Sequence, residues 1–213
     1  MPLEIGARTS LAAFWTLCKG VGAVSTYLIV GLGNPGSQYA QTRHNVGFMA
    51  LDRLAERYML QITGKKFKGH FVKGVIRNKD VVLLQPQTFM NLSGGSVQPA
   101  AAFYDIEPER IIVVHDELDL ECGDLRVKKG GGHGGHNGLR DIIQKLGERD
   151  FIRIRMGIGR PSRGSVTDWV LGTFPSADQS ARDEMIEEAC DALETILTDD
   201  VITAQNRFNG SSR

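Results

Sequence analysis

The chain has 213 residues, 41% of them hydrophobic, enough to bury a full core in one domain. Its 25 basic residues balance 25 acidic ones, and it holds no apolar run of about 18 residues, so a helical membrane span is excluded and the net charge offers no general attraction for polyanions. Three cysteines, Cys18, Cys122 and Cys190, are too few and too scattered for a disulfide framework or a C-x-x-C metal site, which sets a reducing compartment, the cytoplasm, as the expected location.

Residues 1 to 26 carry little charge and a short apolar stretch from Leu11 to Leu17. They lack the longer apolar region, early positive cluster and cleavage site of a signal peptide, and read as an appended tail or a misplaced start sooner than as a targeting signal. The first predicted strand is Tyr27-Leu28-Ile29-Val30. It runs into "GLGNPGSQYAQTRHN", where Gly31, Gly33 and Gly36 match a dinucleotide-binding turn. That reading needs a helix starting at the glycines and an acidic strand end roughly 20 residues on. A polar stretch follows instead, and helical spacing starts only near Asn45, with Leu51, Leu54, Ala55 and Tyr58 on one face and Asp52 and Glu56 on the helix. The segment therefore offers a tight turn with Asn34, then a loop presenting Tyr39 and His44 beyond a strand end, where open α/β sheets bind ligands.

Phe67 to Arg77 and Val81 to Leu84 form a predicted hairpin around Asn78-Lys79-Asp80, and Pro86 stops the second strand. "QPQTFMNLSGG" is an irregular loop before a helix expected over 96 to 104. Ile111 to Val114 reads as a strand buried on both faces, ending at His115-Asp116. A strand from Leu125 to Lys128 leads to "KKGGGHGGHNGLRDIIQKLG". Phe151 to Ile158 then alternates, with Ile152, Ile154, Met156 and Ile158 on one face and Arg153 and Arg155 on the other. The interleaving predicts an α/β fold: a single domain with a twisted mixed sheet, because the hairpin demands an antiparallel pair, and helices on both faces.

Charge is sorted along the chain. From Arg126 to Arg163 ten Lys/Arg face three acids, whereas Asp178 to Asp200 holds nine acids and only Arg182. The acidic run reads as the solvated face of a helix whose core stripe is Met185, Ala189, Ala192 and Ile196. The basic run reads equally as solvated surface or as a nucleic-acid footprint.

Candidate chemistry gathers where strands end: Asn34, Tyr39 and His44, then Asn91, then Asp116, then His133, His136 and Asn137. A His and an Asp from different loops suit a base whose second ring nitrogen is held by a carboxylate. Taken singly, each has a bland reading, the His as a satisfied residue, Asp116, Asn91 and Asn137 as caps or turn formers. No serine stands in G-x-S-x-G and no cysteine lies in these loops, so a covalent nucleophile has no support. His133 and His136 lack an acidic or thiolate partner at ligand spacing, which makes a metal the minor reading.

Four stretches, "GLGNPGSQYAQTRHNVGF", "QPQTFMNLSGGSV", "VVHDELDL" and "KKGGGHGGHNGLRDI", in this order, resemble the bacterial peptidyl-tRNA hydrolases, over about Tyr27 to Asn209. The resemblance implies a catalytic domain over 27 to 213 that hydrolyses the ester between a peptide and the 3′ ribose of tRNA, without cofactor or metal, as a monomer. It implies that His44 is the general base on water and that Asp116 holds its basic form. Asn91 and Asn137 would position substrate, Asn137 also placing water or the oxyanion, while Tyr39 and Phe89 would contact the 3′ end. Asn34 would distinguish blocked from free aminoacyl esters, its amide accepting from the peptide N–H, and Lys128 and Arg155 would clamp the tRNA 5′ phosphate. A non-catalytic RNA-binding protein and an aminoacyl-tRNA deacylase are the rivals. The first has no need of a His44 and Asp116 pair, and the second would hydrolyse unblocked esters.

Overall fold

The computed structural model describes residues 26–210. The expectation for residues 1 to 26 thus falls, apart from Thr26, outside the described residues. Seven strands form one sheet: β1 (Tyr27–Gly31), β2 (Gly64–Lys66), β3 (Gly69–Ile76), β4 (Lys79–Pro86), β5 (Ile111–Glu117), β6 (Leu125–Lys129) and β7 (Ile152–Gly157). Their order is β2-β3-β4-β1-β5-β7-β6. β4, β1, β5 and β7 run parallel, and β3 and β6 pair antiparallel at the two sides of this block. The sheet is mixed, as the hairpin required.

The helices are α1 (Val46–Arg57), α2 (Gly94–Phe103), α3 (Asn137–Leu146), α4 (Val166–Leu171), α5 (Gln179–Thr198) and α6 (Val201–Phe208). In β1, Ile29 joins a core built with α1, α5 and α6, while Leu28 and Val30 join a second core with α2 and α3. Alternate residues of one strand thus enter opposite cores, which is why the central strands read as continuous apolar runs. Each such fully buried side chain contributes about 1.5 to 3 kcal/mol.

The opening glycines have a packing role. A Cβ on Gly31 would strike the Gly47 carbonyl, one on Gly47 would strike backbone of Val114 and Leu32, and one on Gly33 would strike the Phe48 ring. Two of the three glycines of the dinucleotide-like pattern therefore let α1 lie directly on β1 and β5. Gly36, at φ 112, makes the turn.

Several elements differ from expectation. The hairpin turns on Arg77-Asn78, both left-handed, so that Ile76 pairs with Lys79 and the second strand starts earlier. An edge strand, β2, precedes it, because Phe67-Lys68 form another tight left-handed turn. β5 continues through His115 and Asp116 to Glu117. Arg153 is not on a solvated face: at 2% exposure it donates through Nη1 and Nη2 to the carbonyls of Gly132 and Gly131, fixing the glycine loop. The expected stripe of α5 is buried, but its acidic face is only partly solvated, since Glu187, Asp191 and Glu194 bind Arg53, Arg57 and Arg77.

Candidate active site

The parallel strands all end on one edge of the sheet, and the loops leaving them surround a cavity of about 670 Å³. Its wall includes Asn34, His44, Phe89, Asn91, Asp116 and Asn137, six of the residues singled out above. Tyr39 is not on that wall; it ends a short 3₁₀ turn, Ser37–Tyr39, whose carbonyl is held by Thr42. Lys128 and Arg155 lie outside it too, on β6 and β7.

His44 occupies a 3₁₀ turn, Arg43–Asn45, that enters α1. Both neighbours anchor it. Arg43 stacks its guanidinium 3.8 Å from the Trp169 ring centroid and donates to the Trp169 carbonyl, joining this turn to α4. Asn45 brackets the backbone of Asn34, accepting from its N–H and donating to its C=O, both at 2.9 Å.

Asn34 is itself committed. Its Oδ1 accepts from the Met90 N–H at 2.8 Å, which leaves Nδ2 as a donor and one lone pair of Oδ1 still able to accept. A backbone N–H can only donate, which fixes the orientation. The expected acceptor role of Asn34 is thus shared with Met90, and Nδ2 adds a donor that could meet a carbonyl.

Asp116 is buried at the cavity floor. His44 Nδ1 lies 2.9 Å from both its oxygens, and His136 Nε2 lies 3.0 Å from Oδ1. An ionised carboxylate only accepts, so Nδ1 of His44 carries the proton and Nε2 is left as a base. Burial opposes the charge of His44, but the charge and hydrogen bond of Asp116 outweigh it and hold the imidazole above the ordinary histidine value of 6.5. Burial likewise opposes ionisation of Asp116, and the two imidazoles reverse this, holding its carboxyl well below the usual range. Neighbouring His115 is fully buried and driven down to about 3 by that burial. Its Nδ1 donates to the Asp116 carbonyl at 2.7 Å.

Sequence reasoning counts His136 among the candidates of the glycine loop but gives it no role in the reaction, and it allows Asn137 a capping role beside its substrate role. In the structure His136 is the N-cap of α3, its Nδ1 accepting from Gly138 N at 3.1 Å and Leu139 N at 3.3 Å. Asn137 is the exposed first residue of the helix, with Oδ1 accepting from Arg140. The acidic partner that His136 lacks in sequence is Asp116, and ligand-type atoms of His44, Asp116 and His136 lie within 4.8 Å of one another. Their protons argue against a metal there. With Nδ1 of His136 occupied by two amides, Nε2 bears the hydrogen aimed at Asp116 and has no lone pair to give. The set fits proton handling.

Beside the cavity, Arg126, Lys128, Arg153 and Arg155 share one face of β6 and β7, with Lys128 opposite Arg153 and Arg126 opposite Arg155. Arg155 Nε donates to Glu117 at 2.9 Å, and Glu117 lines the cavity. This places Arg155 next to the cleft, with Lys128 exposed further along. Among the described residues no helix is long and apolar enough to cross a membrane.

Residues 28–213 match the family model described as peptidyl-tRNA hydrolase. A peptidyl-tRNA hydrolase of Trichlorobacter lovleyi is 51% identical over 189 residues, covering 89% of this chain and 98% of the relative. One of Haemophilus influenzae is 50% identical over 185 residues, covering 85% and 95%. The crystal structure of peptidyl-tRNA hydrolase from Acinetobacter baumannii superposes with a TM-score of 0.84 at 46% identity, over 91% of this chain and 99% of that one.

Proposed function

The chain belongs to the peptidyl-tRNA hydrolase family, and from that premise we propose that it hydrolyses the ester between a peptide and the 3′ ribose of tRNA, with His44 as general base. The observation that carries this reading is the His44 and Asp116 contact at the floor of a cleft walled by three asparagines. Nε2 of His44 takes a proton from water, the hydroxide attacks the ester carbonyl, and the imidazolium returns the proton to the leaving ribose oxygen. Asp116 stabilises the imidazolium and keeps its Nδ1 protonated throughout.

The asparagines supply neutral donors. Asn137 and Asn91, at the mouth, hold the peptide and the developing oxyanion. Asn34, through Nδ2, takes a peptide carbonyl, a group that a blocked aminoacyl ester possesses and a free one lacks. Exposed Phe89 offers a face for the terminal base, with Tyr39 on the neighbouring loop. Lys128 and Arg155 receive the 5′ phosphate, Arg155 exchanging Glu117 for it.

Release of labelled N-acetylaminoacyl groups from tRNA, measured with and without chelator, tests this directly. Turnover insensitive to chelator and specific for the blocked ester is expected. Binding of tRNA without hydrolysis would leave the non-catalytic reading.

A further inference from the structure

We propose that His136 is a positioning residue that shares Asp116 with His44, tuning the strength of the base and tying Asn137 to it. The inference rests on the esterase reading for its purpose but on hydrogen bonds for its content.

The helix start dictates the tautomer. The amides of Gly138 and Leu139 can only donate, so the cap requires a bare Nδ1 on His136 and puts its hydrogen on Nε2, 3.0 Å from Asp116 Oδ1. Asp116 therefore accepts from two imidazoles. Each donor disperses part of the carboxylate charge, and what His136 draws is lost to the imidazolium of His44. A buried carboxylate given wholly to His44 would hold that ring protonated further into the neutral range and remove the base. Shared, the same carboxylate orients His44 while leaving more of it neutral at working pH.

The groups facing this pair are few. Asp116 comes from β5 and His136 from the cap of α3, while Glu117 and Arg160 stand on the cavity wall. His115 meets His136 edge-on at 4.9 Å, with buried Arg153 near it, and Arg43 turns away onto Trp169. None of these others hydrogen-bonds the carboxylate through its side chain. The next residue along the chain from His136 is Asn137, so one ring sets both the charge behind the base and the start of the helix that presents the amide.

His136→Asn separates these duties, because asparagine is a good cap but too short to reach Asp116. NMR titration of the His44 ring in the free protein reads the sharing without substrate, so failure of the esterase reading leaves this test intact. In His136→Asn the His44 midpoint should rise, on the order of half a unit, and the acid limb of kcat/KM should follow it. An unchanged or lowered midpoint would overturn the proposal. His136→Ala should show the same rise and also lose the cap, with a melting temperature a few degrees lower. In the unsubstituted protein, ring ¹⁵N shifts at neutral pH should report hydrogen on Nε2 of His136. Hydrogen on Nδ1 would refute the sharing whatever the variants do.

Discussion

Two charge clusters in this molecule join segments far apart in sequence, and they do so in opposite ways. At the cleft, one buried carboxylate, Asp116, serves two imidazoles. On the far side, Arg53, Arg57 and Arg77 meet Glu187, Asp191 and Glu194 across α1, the β3 and β4 hairpin and α5, at the surface and with overlapping partners. Arg57 alone bonds three carboxylates. The second cluster is redundant and, apart from buried Glu194, at least partly open to water, so removing one member costs little. The first turns on one buried carboxylate with no second to replace it, so each removal alters its chemistry.

The largest test of this contrast is His44→Ala, which should lower kcat by about 10² to 10⁴ while tRNA affinity stays near wild type. Asp116→Asn should lower kcat less, since the imidazole persists without its carboxylate. Stopped-flow hydrolysis with a separate binding titration distinguishes these from misfolding, which would remove both. The same cluster sets the pH response. Because the folded His44 lies above 6.5, kcat/KM should fall on acidification with a midpoint above that value. The stabilisation from pairing with Asp116 runs the other way: complete below 6.5, it fades as pH rises through the folded value. A plain histidine midpoint would mean the carboxylate does not act on the base.

A smaller effect is expected of Asn34→Asp. One carboxylate oxygen would keep the Met90 N–H and the other would face the cleft, where an ammonium could pair with it. A charge-assisted hydrogen bond is worth about 1.5 to 3 kcal/mol, so the preference for N-acetylaminoacyl-tRNA over aminoacyl-tRNA should fall by about tenfold or more. An unchanged kcat/KM ratio would confine Asn34 to shaping its turn.

Lys128→Ala and Arg155→Ala should raise KM with little change in kcat. Each should flatten the slope of log affinity against log salt by roughly 0.9, the value for one phosphate no longer neutralised. Full tRNA should suffer and a short nucleotide ester should not. Equal effects on both substrates would remove the clamp assignment. Smallest of all should be Arg57→Ala, about 1 kcal/mol and some 2 to 4 °C in melting temperature, with unchanged turnover per folded molecule. A catalytic defect there would break the contrast between the two clusters.

Much of this is legible in the sequence because period and punctuation are local. Leu51, Leu54 and Ala55 announce α1, and Ile111 to Val114 announce a doubly covered strand. His44 and Asp116 stand out as chemistry-bearing residues at strand ends. What escapes depends on neighbours distant in sequence. The role of Gly31 is visible only once Gly47 lies against it. Alternation makes Arg153 read as solvated, and only the carbonyls of a folded glycine loop make its burial tolerable. His136 does not read as a cap because imidazole is not among the usual capping side chains, and its acid partner arrives from a strand twenty residues earlier. The donor end of Asn34 can be assigned only after Met90 has claimed the other.

The joined pair Arg43 and His44 carries one more consequence. One residue is fastened to Trp169 on the α4 side of the cleft, the next to Asp116 at its floor, so that adjacent residues of one chain segment couple wall to floor. This part of the mouth is therefore assembled before any substrate arrives, and a substrate that meets it spends little of its binding free energy on ordering it. Binding at this wall should then add no slow ordering step of its own to an association limited by diffusion and orientation. Discrimination then falls to groups already in place at the moment of contact, as in a gauge that admits only what already fits.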